Sequence, residues 1–404
     1  MSSPKTRAFL RLGALVAAMA LCTTAQAQFA PRATLDVVLP AAAGFKLALE
    51  SPGAPLAIAA DGTHYVLLHQ FAPGAKPAEP AREAWVELLA VAADGALKWR
   101  RALPIRDKVT SSGLSISSLG VIAASAGGIV VVWSPNDPPE PRAPRSQIAT
   151  MLRLGTDGTV RKASPIGPPS ATRAVNDPAA YYELYVYRAT PDNGVLLAGG
   201  YGSGPYAWWM GKFNLDGIRL WQAGPGNGFP ERVASLERRL DGSWLGLVTE
   251  MVPRGSGLDW VIRRYAADGK LLRRTRLAPP VGQEVAVLRD GAVLVAPSEE
   301  SATQAELVFV DDHGRVRRRT PWPFATTLRL IAAGDGLAAI VRESDAAEAP
   351  SFVVRADAQG VIRWRGPAVA DVHSIVALPD GRIAALLRDT AEASALRLVR
   401  FTEP

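Results

Sequence analysis

Two kinds of glycine turn alternate along this chain, and their alternation constrains the fold more than any other feature. The first kind closes a short apolar hairpin: LAIAADGTHYVLL at Asp61-Gly62, AASAGGIVVVW at Gly127-Gly128, YRATPDNGVLLAGG at Asn193-Gly194 and ERRLDGSWLGLV at Asp241-Gly242. It recurs at Asp290-Gly291, Asp335-Gly336 and Asp380-Gly381. The second kind separates an apolar strand from a polar one bearing Trp or Arg, at Asp94-Gly95, Asp157-Gly158, Asp216-Gly217, Asp268-Gly269, Gly314 and Gly360. Seven turns of the first kind interleave strictly with six of the second. A two-residue hairpin turn needs positive φ, which Gly adopts freely and Asn or Asp better than most residues, so each turn marks a hairpin.

Two hairpins per unit make a four-stranded antiparallel blade. From Gly194 onward the first-kind glycines are 48, 49, 45 and 45 residues apart, room for four short strands and their connections. Gly62, Gly128 and Gly194 are each 66 apart, so the first two blades carry longer loops. One such blade buries too little apolar surface to be stable, whereas blades stacked in a ring bury both faces. Runs such as GVLLAG and AVLVA then read as inner strands, and ALKWRR, KLLRRTR, RVRRRT and VIRWR as charged outer strands that resist edge pairing. The pattern predicts an all-β, seven-bladed β-propeller of four-stranded antiparallel blades.

The missing seventh turn of the second kind predicts how the ring closes. The chain ends at ALRLVRFTEP, the third strand of the last blade, while TLDVVLP, residues 34–40, resembles an outer strand. Residues 34–40 are therefore expected to pair with residues 395–401.

Residues 1–27 read as a secretory signal peptide: Lys5, Arg7 and Arg11, an apolar stretch from Leu12 to Leu21, then small residues ending at Ala27. The stretch is about half of what a membrane-spanning helix needs. Residues 28–404 are expected to form a single propeller domain, periplasmic or secreted, with no transmembrane segment after signal cleavage. Cys22, the only cysteine, lies in the signal, which excludes disulfide, zinc-thiolate and cysteine-nucleophile chemistry from the rest. The net charge of +7 falls to about +4 once Lys5, Arg7 and Arg11 are removed, too mild a balance to point to nucleic acid.

The A-D-G turns followed by Trp, at Asp94-Gly95 with Trp99, Asp216-Gly217 with Trp221 and Gln359-Gly360 with Trp364, resemble the quinoprotein-like and WD40-like propellers exported by bacteria. The resemblance extends from Thr34 to Glu403 and implies that the outer-strand Trp packs between blades. Quinone-cofactor members of that superfamily commonly use calcium and a vicinal disulfide. With no cysteine left and no acidic cluster evident, the expectation here is no cofactor and no metal, and quinone-dependent dehydrogenation is disfavoured.

The short turns share one face of such a ring, so the longer loops, Phe71–Ala84, Ser134–Gln147, Ser164–Tyr182 and Gly202–Ala207, share the other. On that face Tyr181, Tyr182, Tyr201, Tyr206 and Trp208, with Trp209, surround a Gly-rich tip, an aromatic surface for a sugar or partner side chain. The bland alternative buries half of them between blades. Arg273, Arg274, Arg276, Arg315, Arg317, Arg318 and Arg319 either meet an acidic polymer or blunt a sheet edge. His64, His69, His313 and His373 have no metal-like spacing, and no GxSxG, HExxH or P-loop motif occurs. These features lead to a noncatalytic propeller binding an envelope protein or glycan through its long-loop face. The alternative is an enzyme, a hydrolase or lyase, with a site at the axial channel mouth: charged side chains converging there from several blades would favour it, and apolar and small ones would favour binding.

Overall fold

The computed structural model describes residues 30–404 except 44, 48–52, 72–81, 110–115, 125–126, 136–148, 167–180, 203–206, 225–232, 240, 252–257, 278–283, 289–290, 298–304, 347 and 391–393. Residues 1–27, the expected signal peptide, lie outside the described part, as does most of the four long loops.

All regular structure among the described residues is strand. The first blade comprises β2 (Lys46–Leu47) and β4 (Leu56–Ile58), then β5 (His64–Phe71), β6 (Arg82–Val91) and β7 (Leu97–Val109). Next come β8 (Ile116–Ala123), β9 (Ile129–Pro135), β10 (Ala149–Leu154) and β11 (Val160–Ile166) in the second blade, and β12 (Tyr181–Thr190), β13 (Gly194–Gly202), β14 (Ala207–Asn214) and β15 (Arg219–Ala223) in the third. The fourth holds β16 (Val233–Arg238), β17 (Trp244–Met251), β18 (Leu258–Tyr265) and β19 (Leu271–Arg276); the fifth, β20 (Glu284–Leu288), β21 (Gly291–Pro297), β22 (Ala305–Asp311) and β23 (Val316–Trp322). In the sixth are β24 (Thr326–Ala333), β25 (Gly336–Arg342), β26 (Ser351–Ala356) and β27 (Ile362–Arg365). The seventh joins β28 (Asp371–Ala377), β29 (Ile383–Arg388) and β30 (Ala395–Thr402) to β1 (Arg32–Pro40).

The ring closes as the sequence predicts. Strand β1 pairs antiparallel with β30, Leu35 opposite Arg400 through Pro40 opposite Ala395, and the pairing extends back to Arg32. Seven apolar clusters follow one another around the molecule, each filling the space between two adjacent blades. The cluster between the seventh and first blades takes Leu35 and Leu39 from β1, Leu386 and Leu398 from its own blade, and Val66, Leu68 and Leu89 from the first. The two ends of the chain are thus held by the same apolar burial that holds every other interface.

The turn between Ala333 and Gly336 is a two-residue hairpin, but the turn at Asp61-Gly62 differs from one in a telling way. At the first turn Gly62 N–H donates to the Ala59 carbonyl and Ala59 N–H to the Thr63 carbonyl, so three residues form the loop and only Gly62 has positive φ, 81°. Glycine at that last position closes a three-residue hairpin with a bulge. The Asp before it contributes differently: its carboxylate accepts the N–H two residues on, Thr63 from Asp61, Ala96 from Asp94, Ser243 from Asp241, Arg382 from Asp380. In the third blade Asn193 itself takes the positive φ, 60°.

Burial is greatest in the second and third strands of each blade, not in the innermost. Every residue of β26 is buried, whereas the outer β19 is largely exposed. The innermost strands border the channel and are only partly buried, as β24 is. The first blade departs most from the repeat. Before β4 of its innermost strand, Gly53 (φ 120°) and Ala54 form β3 and pair in parallel with β8 of the second blade. A Cβ on Gly53 would lie 1.9 Å from the Leu119 carbonyl oxygen, so only glycine fits, and Pro55 has no N–H to continue a ladder.

Candidate functional site

The outer rim is occupied with holding the ring together. Trp99 Nε1–H donates to the Thr156 carbonyl (2.7 Å) and Trp221 Nε1–H to the Ala267 carbonyl (3.0 Å), each on the next blade's second-kind turn. In the fifth blade Arg318 takes the same place, donating to the Ala358 carbonyl while lying 4.2 Å over the Phe309 ring. Trp364 is buried against Phe401 of the next blade, ring centroids 5.5 Å apart. These contacts are the interblade packing that the Trp resemblance implies.

The outer-strand arginines are likewise committed. Glu250 of β17 accepts from Arg263 (2.6 Å) and Arg274 (2.9 Å), Arg276 pairs with Asp259, Arg315 and Arg317 with Asp311, and Arg319 with Glu306. Arg273 lies against the His313 ring. A row of arginines held largely by acids and carbonyls of its own and the next blade blunts the edge.

Of the aromatic residues near the third-blade tip, the backbone register brings Tyr182 opposite Tyr201 and Trp208 opposite Gly200, with Tyr181 opposite Gly202. Tyr206 lies outside the described residues. Trp209 belongs to the interblade core, 2% exposed and edge-on to Phe213. The ladder therefore gathers Tyr181, Tyr182, Tyr201 and Trp208 at the loop-bearing end of one blade.

At the same end, five innermost strands break register once, at Ser117, Tyr185, Ala234, Leu328 and His373. A single extra residue re-aims the chain at a rim, here around the mouth of the channel. His373 Nδ1 lies 3.6 Å from Asp371, whose carboxylate is also 3.7 Å from Arg388. Burial raises the Asp371 pKa, but the His373 and Arg388 partners outweigh it and hold the carboxyl below its ordinary value.

Inside the channel, strands of six blades enclose a cavity of about 350 Å³. Its walls are mostly small and aliphatic, such as Ala57, Ile58, Val121, Ala123, Ile331 and Ala377. Among the described residues three charged side chains line it: Arg188 of β12, Glu237 of β16 and Arg329 of β24. Arg188 Nη2 donates to Glu237 Oε1 at 2.5 Å. Arg329, open to the lumen but surrounded by protein, has its pKa lowered first by desolvation and then by repulsion from Arg188; Glu284 and Tyr187 oppose the shift. The channel thus combines the two linings considered above, an apolar wall with charges converging from three blades. Sequence reasoning missed all three. The available signal was a charge inside an otherwise apolar innermost strand, as in YVYRAT and LRLIAA.

Among the described residues no group of three His, Cys, Asp or Glu side chains is arranged to hold a metal ion, and no helix is long and apolar enough to cross a membrane.

Comparison with known proteins bears on the fold. No family model and no curated protein matches the sequence. Among solved structures, the polysaccharide lyase Uly1 is similar at a TM-score of 0.54 and 12% identity, over 88% of this chain and 91% of that one. The β-propeller domain of the Trilobed protease from Pyrococcus furiosus is similar at 0.50 and 11%, over 88% and 93%. That domain has an open velcro topology; here β1 pairs with β30. The Dos1 propeller is similar at 0.48 and 7%, over 93% of each chain. At these identities the likeness concerns the fold alone, a seven-bladed propeller.

Proposed function

We propose that the protein is an exported, noncatalytic propeller that holds an envelope protein or a glycan against its loop-bearing face. One observation carries this reading: the third-blade register gathers Tyr181, Tyr182, Tyr201 and Trp208 at the loop end of the strands, beside the ring of bulges at the channel mouth. Aromatic rings next to glycines offer flat apolar area for a sugar ring or an extended side chain. The leader-like residues 1–27 support a partner in the periplasm or outside the cell. Purified protein immobilised on resin is expected to retain a defined envelope protein or glycan, and Tyr182→Ala with Trp208→Ala to abolish retention without lowering Tm. Equal retention by the double variant would refute the reading.

A glycan-cleaving enzyme is the second reading, favoured by the His373–Asp371–Arg388 cluster beside the channel mouth and by the fold shared with a polysaccharide lyase. Elimination leaves a carbon–carbon double bond in the product. Incubation with acidic polysaccharides and detection of unsaturated sugar, lost in His373→Ala, would establish it.

A further inference from the structure

We propose that the axial channel binds a carboxylate monoanion, with Arg329 as the group that receives it. This site is separate from the loop face, and the inference does not depend on the reading given above.

The case begins with charge. Arg188 and Glu237 neutralise each other at 2.5 Å, which leaves Arg329 as the uncompensated charge among the residues lining the cavity. Its guanidinium has no hydrogen-bond or ion-pair partner among the described residues, although it carries five N–H donors in a rigid fork. The nearby acid is Glu284, on the neighbouring innermost strand, which offsets the charge only at longer range. An arginine left without an acceptor in a protein-walled channel, and repelled by a second arginine, gains from any anion that reaches it. On the outer strands of the same molecule, Arg274, Arg276 and Arg319 all have acids.

Charge and volume then narrow the ligand. One net positive charge between apolar walls is balanced by a monoanion; a dianion such as sulfate would leave a negative charge uncompensated there. A carboxylate matches the guanidinium fork bidentately. About 350 Å³ stands at the small end of ligand pockets and admits one sugar ring or a short carbon chain. Ser374, on the wall contributed by the seventh blade, supplies a hydroxyl for a sugar acid, whereas Ile58 and Ile331 suit an aliphatic acid.

The test is calorimetric titration of the purified protein with glucuronate, butyrate, glucose, sulfate and phosphate, repeated on Arg329→Met. At least one carboxylate is expected to bind saturably and to weaken about tenfold or more in Arg329→Met, the loss for a charge-assisted hydrogen-bonded pair. Tighter binding of glucuronate assigns the site to a sugar acid, and tighter binding of butyrate to an aliphatic acid. Either carboxylate should bind unchanged in the Tyr182→Ala, Trp208→Ala variant, which separates this site from the loop face. Binding of sulfate or phosphate tighter than both carboxylates, no saturable carboxylate binding, or equal affinity in Arg329→Met would each overturn the proposal.

Discussion

The rim and the lumen treat arginine in opposite ways. On the rim Arg100 is fastened to Glu87, Arg274 to Glu250 and Arg319 to Glu306, so much of the positive row that dominates the outer strands is paired inside the blade. In the lumen Arg188 has Glu237, and among the described residues Arg329 has no acid within ion-pair reach. Abundant charge on a sheet edge is thus solubility and packing, while one unmatched charge in an apolar channel is the chemically informative feature. The distinction depends on which acids lie nearby, not on how many arginines the chain has.

The strongest way to break the contrast is to open the ring, because both regions exist only when it is closed. Deleting residues 32–40 removes Leu35 and Leu39 from the cluster between the seventh and first blades, and is expected to cost about 5 kcal/mol or more, read as a collapse of Tm. Glu250→Leu leaves Arg263 and Arg274 without their acceptor and should cost about 3 kcal/mol by chemical denaturation. Arg329→Met, by contrast, should change stability by no more than about 0.5 kcal/mol, since no partner is lost.

A pH series sharpens the comparison at the closing interface. His64 is buried in the first blade, and desolvation, then repulsion from Arg400 of the seventh, lower its pKa to about 4; the Val91 carbonyl opposes the shift and Arg382 adds to it. The folded state therefore favours the neutral ring. This contribution is complete above the unfolded pKa near 6.5 and is lost as pH falls from there towards 4, by about 3 kcal/mol. Subtracting the pH–stability curve of His64→Leu from that of the wild type should isolate this loss, and coincident curves would refute it.

Two glycines with the same backbone separate a further pair of effects. Gly269 (φ 84°) packs against Trp221, whose ring would lie 2.4 Å from an added Cβ, while Gly381 (φ 83°) has nothing within 4 Å. Gly381→Ala should cost about 1 kcal/mol for left-handed backbone alone, and Gly269→Ala about 2 kcal/mol because Trp221 must also shift.

What the sequence disclosed was local. Glycines such as Gly62 and Gly269 announce hairpins because positive φ is a property of one residue, and TLDVVLP could be assigned because the last blade visibly lacked an outer strand. The parallel pairing of β3 with β8 depends on two backbones meeting across blades, which no local pattern encodes. Arg188, Glu237 and Arg329 lie far apart in sequence and meet only when three blades surround one axis. The aromatic residues fall between these cases: the turn at Asn193-Gly194 fixes which of them face one another across β12 and β13.

Closure is tested most directly by a cross-link between the first strand and the last. Val38 stands opposite Arg397, and directly opposed residues of antiparallel strands lie within the Cα range a disulfide tolerates. In a Cys22→Ser background, Val38→Cys with Arg397→Cys should form an intramolecular bridge under mild oxidation, seen as a reducible mobility shift and a raised Tm, and neither single variant should do so. Two free thiols in the folded double variant after oxidation would contradict the closed ring.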